Sequence, residues 1–193
     1  MPDVEEWETY FDLPLIVEKM EMTSHNDVVE YGCGYGTFTL QLARNTKNWV
    51  YALEIDPEKM TFARRRLEKA GISNAAFIEQ DFMESGADMP ENSADYAVMF
   101  NLLHCENPQF LLQDAFKTLK PGSKLAVIHW SCDKETPRGP DMSIRPRPEQ
   151  IVAWMQSVGF EAEESAVIDL PPWHYGVLGT KPADPDFKLP AWI

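Results

Sequence analysis

Short apolar runs alternate with amphipathic stretches along most of the chain, and glycine, proline and charged residues separate them. Apolar runs bounded by turn residues are typical of buried strands, whereas apolar positions three to four residues apart indicate helices. Strands that alternate with helices predict an α/β fold around a mainly parallel sheet. The pattern places strands at residues 28–31, 49–55, 75–79, 95–100, 124–128, 160–168 and 174–179.

The intervening segments have helical spacing and recognisable ends. Asp56 is expected to cap a helix that begins at Pro57 and ends before Gly71, because aspartate caps helix starts and proline suits the first helical position. Pro121 and Gly122 predict a turn before the fifth strand. A lead-in helix broken near Pro14 is expected at the start of the chain. The predicted helices cover residues 1–21, 57–70, 108–119 and 149–158, together with the segment that follows residue 36.

Three alternating glycines follow the first predicted strand and precede a helical pattern. Gly32, Gly34 and Gly36 suit a tight turn whose backbone a ligand can approach closely. The helix start adds free N–H groups and partial positive charge. The spacing G-x-G-x-G differs from the dinucleotide pattern G-x-G-x-x-G. Glu30 precedes the turn, so the loop favours a ligand that carries an ammonium or sulfonium over a pyrophosphate.

A second acidic residue closes the second predicted strand. Glu54 lies 22 residues after Gly32, close to the spacing of about 20 at which a carboxylate accepts from ribose hydroxyls in a βαβ nucleoside site. Such charge-assisted hydrogen bonds are comparatively strong. The two landmarks together predict a nucleoside-containing ligand at the glycine loop.

Motifs over residues 27–130 resemble those of class I S-adenosylmethionine (SAM)-dependent methyltransferases. They are E-x-G-C-G-x-G at the glycine loop, D-Y-A-V-x-x-x-x-L-H at the fourth strand and L-K-P-G-S-K-L before the fifth. The resemblance implies a Rossmann-like, doubly wound sheet of seven strands in the order 3-2-1-4-5-7-6, with one antiparallel edge hairpin strand. It also implies SAM as the cofactor and methyl transfer to a small-molecule acceptor.

The resemblance also implies which residues bind the cofactor. Glu30 is expected to meet the ammonium directly or through water, and Glu54 the ribose. Asp81 would accept from the adenine amino group, with Phe82 or Met83 against the adenine face; the alternative is a helix cap beside a core aromatic. The full implied set is Glu30, Gly32, Gly34, Gly36, Glu54, Ile55, Asp81, Phe82 and Asn101.

A candidate catalytic base follows the fourth strand. His104 titrates near neutrality and would lie near the methyl position, although a packing or capping role is the alternative. Strands four and five are neighbours in the implied order. His104, Cys105, His129 and Cys132 therefore form a possible ligand set for zinc or a thiophilic metalloid, but their spacing is unfamiliar for zinc and no metal is predicted.

A Pro-rich segment at residues 131–148 carries three arginines in an otherwise acidic chain. Arg138, Arg145 and Arg147 are suited to a carboxylate or phosphate, which predicts an anionic acceptor. The alternative is that these arginines bridge to surface acids. Further candidates for the acceptor side are His129, Trp130 as an apolar wall, and Tyr10, which could instead be a packing residue.

Composition bounds the remaining possibilities. The 193 residues predict a single domain, 1–193, with a lead-in helix at 1–22 and a substrate-side loop at 131–148. The net charge of −14 disfavours nucleic acid and anionic membranes as partners. Three cysteines without a C-x-x-C pair and no apolar span predict a cytoplasmic protein.

The sequence does not indicate an oligomeric state. Two functions other than methyl transfer are compatible with it. One is a SAM-binding sensor or partner subunit without catalysis. The other is a nicotinamide dehydrogenase, which the missing x-x-G glycine disfavours.

Overall fold

The apolar runs form a seven-stranded sheet in the computed structural model, which describes residues 4–183. Strands and helices alternate along most of the chain, as the sequence pattern predicts, and a longer segment at residues 131–147 separates the fifth strand from the last helix. The strands are β1 (Val28–Tyr31), β2 (Val50–Glu54), β3 (Ala75–Glu79), β4 (Ala94–Phe100), β5 (Leu119–Trp130), β6 (Ile168–Leu170) and β7 (His174–Thr180). The helices are α1 (Val4–Glu8), α2 (Leu13–Lys19), α3 (Thr37–Asn45), α4 (Pro57–Lys69), α5 (Phe82–Ser85), α6 (Pro108–Thr118) and α7 (Pro148–Ser157).

The strand order is β3-β2-β1-β4-β5-β7-β6, which confirms the order implied by the sequence resemblance. Only β7 runs antiparallel to its two neighbours, β5 and β6. The chain moves outward from β1 to β3 on one side and then crosses to β4 on the other. Ligands of such sheets bind at the carboxyl ends of the strands where the order reverses, here between β1 and β4.

Successive strand residues supply opposite layers of the core. Val28 packs in a layer with residues of α2 and α3, whereas Val29 packs in a layer with residues of α6 and α7. Both valines are fully buried. Because helices cover both faces, the central strands are apolar at consecutive positions rather than alternate ones.

The lead-in segment differs from the prediction in the position of its break. The two helices α1 and α2 are separated at residues 9–12, before Pro14 rather than at it. Asp12 caps α2 by accepting a hydrogen bond from the Leu15 N–H at 3.1 Å. Pro14 lies in the first turn of α2, where its missing N–H costs no hydrogen bond.

Two strand predictions were wrong in extent. The predicted turn at Pro121 and Gly122 is an irregularity inside β5, which begins at Leu119 and shifts its register against β4. The predicted sixth strand at residues 160–168 is reduced to Ile168–Leu170, preceded by a 3-10 turn at Glu164–Ala166. Phe160 is buried, with its ring centroid 5.0 Å from that of Phe116 in an edge-to-face contact, and the acidic residues after it are poor strand formers.

Candidate functional site

The glycine loop joins β1 to α3 at the point where the strand order reverses. Gly32, Gly34 and Gly36 all have positive φ, at 76°, 53° and 75°. A Cβ on Gly32 would lie 3.3 Å from Leu102 Cδ2 and 3.4 Å from Phe82 Cζ. The loop therefore needs glycine both for its backbone conformation and for its close approach to neighbouring side chains.

Glu54 lies at the end of β2 and braces the glycine loop. Its Oε2 accepts from the Gly34 N–H at 2.8 Å, and its Oε1 accepts from the Ile55 and Asp56 N–H groups at 3.1 Å each. Three backbone amides thus orient one carboxylate. Asp56 caps α4 by accepting from Glu58 and Lys59, as the sequence predicts.

Glu30 is buried in the central strand. Its carboxylate accepts from Thr39 Oγ1 at 2.6 Å, and only 2% of the residue is exposed. The pKa of Glu30 is raised to about 7, mainly by burial; the Thr39 hydrogen bond lowers it in part, and the neighbouring Glu54 carboxylate adds to the rise. The role expected for Glu30, contact with a ligand ammonium, stays a prediction because the side chain has almost no open surface here.

The residues expected near the adenine ring differ in their exposure. Asp81 caps α5 by accepting from the Met83 N–H at 3.2 Å. Phe82 is buried, and its ring packs edge-on to Tyr31 at 5.8 Å. Ile55 and Met83 are 53% and 42% exposed. The apolar surface beside Glu54 and Asp81 is therefore formed by Ile55 and Met83, and Phe82 supports the glycine loop.

Asn101 follows β4 and has an unusual environment. Its φ is 59°, and its N–H donates to the Ile128 carbonyl at 2.8 Å. Both side-chain amide atoms are buried without a hydrogen-bond partner among the residues that the structure describes. Buried amides are normally paired, so this side chain is free to donate to and accept from a bound molecule.

The structure brings two predicted residues from neighbouring strand ends together. His104 Nδ1 lies 3.3 Å from His129 Nε2. Burial lowers the pKa of His129 to about 4, and burial also lowers that of His104. Cys105 and Cys132 are free thiols whose pKa values are raised by burial.

His104, Cys105, His129 and Cys132 were considered as a ligand set for zinc or a metalloid, without a metal being predicted. Within residues 4–183, no group of three or more His, Cys, Asp or Glu side chains could hold a metal ion.

Trp130 and Tyr10 lie inside an aromatic cluster, with their surfaces taken up by the protein's own side chains. Trp130 is 1% exposed and Tyr10 9%. His174 lies between Phe11, at a ring distance of 4.4 Å, and Trp130, at 4.1 Å. This placement favours the packing interpretation of Tyr10, and it leaves Trp130 no face open to an acceptor.

The three arginines of the 131–148 segment do not converge. Arg145 is 8% exposed and donates to the carbonyls of Ser131, Pro140 and Arg138 at 2.8, 2.9 and 3.3 Å. Arg138 forms a 3.4 Å ion pair with Glu6. The placement of Arg145 favours a structural role, with backbone carbonyls rather than surface acids as its partners.

Arg147 lies apart from the other two, at the start of α7. It lines a cavity of about 340 Å³ together with Lys134, Asp133 and Glu149. Arg147 is thus placed at a cavity together with a second cation, Lys134.

Sequence reasoning missed three residues that shape the site. Thr39 holds Glu30, Leu102 packs on Gly32, and His174 is buried with both ring nitrogens unpartnered among residues 4–183. Thr39 and Leu102 act on residues of another element, and His174 packs between the rings of Phe11 and Trp130. Only the spacing of Thr39, one helical turn past Gly36, gave any local signal.

Comparison with known proteins identifies the family of the chain. The family described as "Methyltransferase domain" matches residues 22–167, more than half of the chain. Sterol 24-C-methyltransferase erg6 of Aspergillus fumigatus is 24% identical over 186 residues, which cover 86% of this chain and 48% of that protein. Protein-L-isoaspartate O-methyltransferase of Pyrococcus horikoshii is 31% identical over 113 residues, 58% of this chain and 48% of that protein. The chain thus spans about half the length of both relatives.

Solved structures share the fold at low sequence identity. A SAM-dependent methyltransferase from Aquifex aeolicus aligns with a TM-score of 0.79 at 19% identity, over 93% of this chain and 99% of that one. The [4+2]-cyclase SpnF aligns with a TM-score of 0.74 at 16% identity, over 89% of this chain and 80% of that one. No helix within residues 4–183 has the length and apolar character needed to cross a bilayer.

Proposed function

The chain belongs to the methyltransferase domain family, and from this premise we propose that it transfers a methyl group from SAM to a small-molecule acceptor. The family and the SAM-dependent structural neighbours imply SAM as the cofactor. The observation that carries the proposal is the glycine loop braced by the carboxylate of Glu54 at the strand reversal.

Residues of the glycine loop and of the adjacent end of β4 fit SAM as a ligand. The three glycines of the loop have positive φ, and the Gly34 N–H donates to Glu54, so the loop presents backbone in a conformation that glycine adopts readily. Asn101 offers an unsatisfied amide at the adjacent strand end. Both features support a polar ligand that rests on backbone at the carboxyl ends of β1 and β4.

Each part of the ligand has a candidate partner. Glu54 would hold the ribose hydroxyls, because its carboxylate is already oriented by three backbone amides. Asp81 would accept from the adenine amino group, and the exposed side chains of Ile55 and Met83 would cover the ring. Glu30 and Asn101 would serve the amino-acid portion, Glu30 through water.

SAM supplies an electrophilic methyl group on a sulfonium whose leaving group is a neutral thioether. The chain's contribution is to align the acceptor and to exclude water, which can lower the barrier by several kcal/mol. No acid is required for the leaving group, which is consistent with the absence of a Ser-His-Asp constellation from the sequence pattern.

A small-molecule acceptor is supported by two kinds of observation. One relative is named a sterol methyltransferase and others demethylmenaquinone methyltransferases, both with small-molecule acceptors in their names. The net charge of −14 disfavours nucleic acid. An anionic acceptor remains part of the proposal through Arg147 and Lys134, which line one cavity, although Asp133, Glu149 and Asp169 line it too.

Calorimetric titration with SAM tests the cofactor site. Glu54→Ala removes the charged acceptor for the ribose, and we expect SAM affinity to fall by about ten- to a hundred-fold, as for the loss of about 1.5–3 kcal/mol of charge-assisted hydrogen bonding. Gly34→Val should also lower SAM affinity, because it places a branched side chain in the glycine loop where the backbone must approach the ligand. Asp56→Ala is the matched control, with weaker α4 capping and unchanged SAM affinity. Unchanged affinity in folded Glu54→Ala and Gly34→Val variants would refute the site.

Methyl transfer is tested separately from binding. Incubation with radiolabelled SAM and a metabolite extract should give labelled small molecules that mass spectrometry identifies. Binding without transfer would favour the non-catalytic alternative, and a thermal shift with NAD rather than SAM would favour the dehydrogenase. The cyclase among the structural neighbours shows why the transfer assay is needed, since the fold alone does not fix the reaction.

A further inference from the structure

Two histidines meet at the carboxyl ends of β4 and β5. His104 Nδ1 and His129 Nε2 are 3.3 Å apart, and the two rings are nearly perpendicular, with centroids 5.4 Å apart. Neither nitrogen can donate without a proton, so one carries the hydrogen and the other accepts it. The direction of this hydrogen bond decides which nitrogen of His104 is left basic.

A backbone carbonyl sets the direction. His129 Nδ1 lies 3.3 Å from the carbonyl oxygen of Trp130. A carbonyl only accepts, so Nδ1 of His129 carries the hydrogen. A neutral imidazole has a single N–H, so His129 Nε2 has a bare lone pair. It accepts from His104 Nδ1–H, which leaves His104 Nε2 unprotonated.

The electrostatic surroundings keep both rings neutral. His129 is fully buried, which lowers its pKa to about 4, and burial also lowers the pKa of His104. The charge of Arg145 acts on both histidines in the same direction, and His129 in turn lowers the pKa of the buried His174. Each ring therefore carries one proton at neutral pH. His104 donates to His129, and His129 donates to the Trp130 carbonyl.

The turn that carries His104 is anchored beside the glycine loop. Leu103 is buried in the core, and the Cys105 N–H donates to the Leu102 carbonyl at 3.2 Å. Leu102 also lies against Gly32. His104 is only partly buried whereas His129 is fully buried, so His104 is the more exposed residue of the pair.

We propose that His129 is a positioning residue that fixes the tautomer of His104, so that His104 Nε2 takes the proton of the methyl acceptor. This deepens the proposed function and rests on it. The acceptor class is then a nucleophile that is protonated at neutral pH, such as a hydroxyl, a thiol or an ammonium. The bond from that atom to its hydrogen breaks, the electron pair stays on the atom for the incoming methyl group, and His104 becomes an imidazolium that returns its proton to water.

The tautomers are measured directly by long-range ¹H–¹⁵N correlation spectra of the ¹⁵N-labelled protein without ligands. We expect the Nδ1–H form for both His104 and His129, each assigned by its own His→Gln variant. The exposed His25, changed in the same way, is the matched control and should leave both patterns unchanged. An Nε2–H form at either His104 or His129 would overturn the proposal, and this result does not depend on methyl transfer.

Kinetics with an identified acceptor separate positioning from packing. His104→Gln should lower kcat by about 10²–10⁴-fold, the usual contribution of a proton-transfer group, with SAM affinity unchanged. His129→Phe removes the hydrogen-bond acceptor and should lower kcat at least tenfold, about 1.4 kcal/mol of barrier. His129→Gln keeps an oxygen that can accept from His104 and should recover most of the loss.

The outcomes distinguish the two levels of the proposal. Equal rates for His129→Phe and His129→Gln, or an unaffected rate in His104→Gln, would refute the dyad and leave the methyltransferase assignment intact. Failure of the wild-type protein to bind SAM would instead refute the proposed function. If His129→Phe does not fold, the tautomer spectra of the wild type still decide the proposal.

Discussion

At the scale of single residues, Glu30 is unusual because a carboxyl group lies in the central strand with 2% exposure. Burial raises the pKa of this group to about 7 from 4.5. The folded state therefore holds the proton more tightly than the unfolded state does. The resulting stabilisation is fully present below about pH 4.5 and is lost as pH rises through 7.

Glu30→Gln removes this titration and should make stability less dependent on pH. We expect the variant to be more stable than the wild type at pH 8 and to lose that advantage by pH 5, because the wild-type group is then protonated. Denaturant unfolding at the two pH values measures the difference. Glu79→Gln, at an exposed position of β3, is the control, and an advantage of equal size at both pH values for Glu30→Gln would contradict the prediction.

Arg145 and Arg147 are two residues apart but have different surroundings. Arg145→Gln strands three backbone carbonyls in a nearly buried site, and we expect it to cost at least about 2 kcal/mol. Arg147→Gln, at the cavity, should leave the melting temperature nearly unchanged and raise KM for an anionic acceptor. Calorimetric melting and acceptor kinetics on both variants test the pair. If the Arg145→Gln variant has normal stability and a raised KM, the structural role is wrong and Arg145 binds the substrate.

At the scale of elements, the glycine loop sets how closely α3 and α4 pack. Gly36 begins α3 with φ of 75°, and a Cβ there would lie 2.9 Å from Ala63 Cβ on α4. Gly71 ends α4 with φ of 72° and has no atom within 4 Å of such a Cβ. The two glycines have the same backbone conformation, but only Gly71 has free space for a Cβ.

Alanine at these two glycines should therefore separate strain from crowding. Gly71→Ala is expected to cost about 1–2 kcal/mol from the left-handed conformation alone. Gly36→Ala should cost more, because α4 must also move away from the loop, and SAM affinity should fall with it. Equal free energies of unfolding for the two variants would show that α4 accommodates the methyl group without strain.

At the scale of the whole molecule, charge is the dominant feature. The net charge of −14 is distributed over 193 residues, and self-repulsion of this kind destabilises a compact state. Exposed ion pairs such as Arg138–Glu6 act in the opposite direction, but each contributes little.

Stability should therefore rise when salt screens the charge. We expect the midpoint of urea unfolding to increase between about 10 mM and 150 mM sodium chloride, over which the Debye length falls from about 30 to 8 Å. Sucrose at equal osmolality is the control for solvent effects without screening. A falling midpoint would mean that ion pairs outweigh the repulsion.

Much of the fold follows from local pattern. The strands from β1 to β4, the cap of α4 at Asp56 and the glycine loop were predicted in place, because each depends on residues within a few positions of one another. The cap of α5 at Asp81 was only the alternative to the expected adenine contact. The errors lie where tertiary packing overrides local preference, as in the irregular start of β5 and the short β6.

The site shows the same division. The sequence alone determined the order of elements, the turn that needs glycine, and a carboxylate at the end of β2, because spacing along the chain encodes them. Only the tertiary structure decided that Arg145 donates to backbone carbonyls, that Trp130 is buried, and that His104 lies within hydrogen-bond distance of His129. These outcomes depend on register between distant segments and on which surfaces are covered, and no local spacing specifies either.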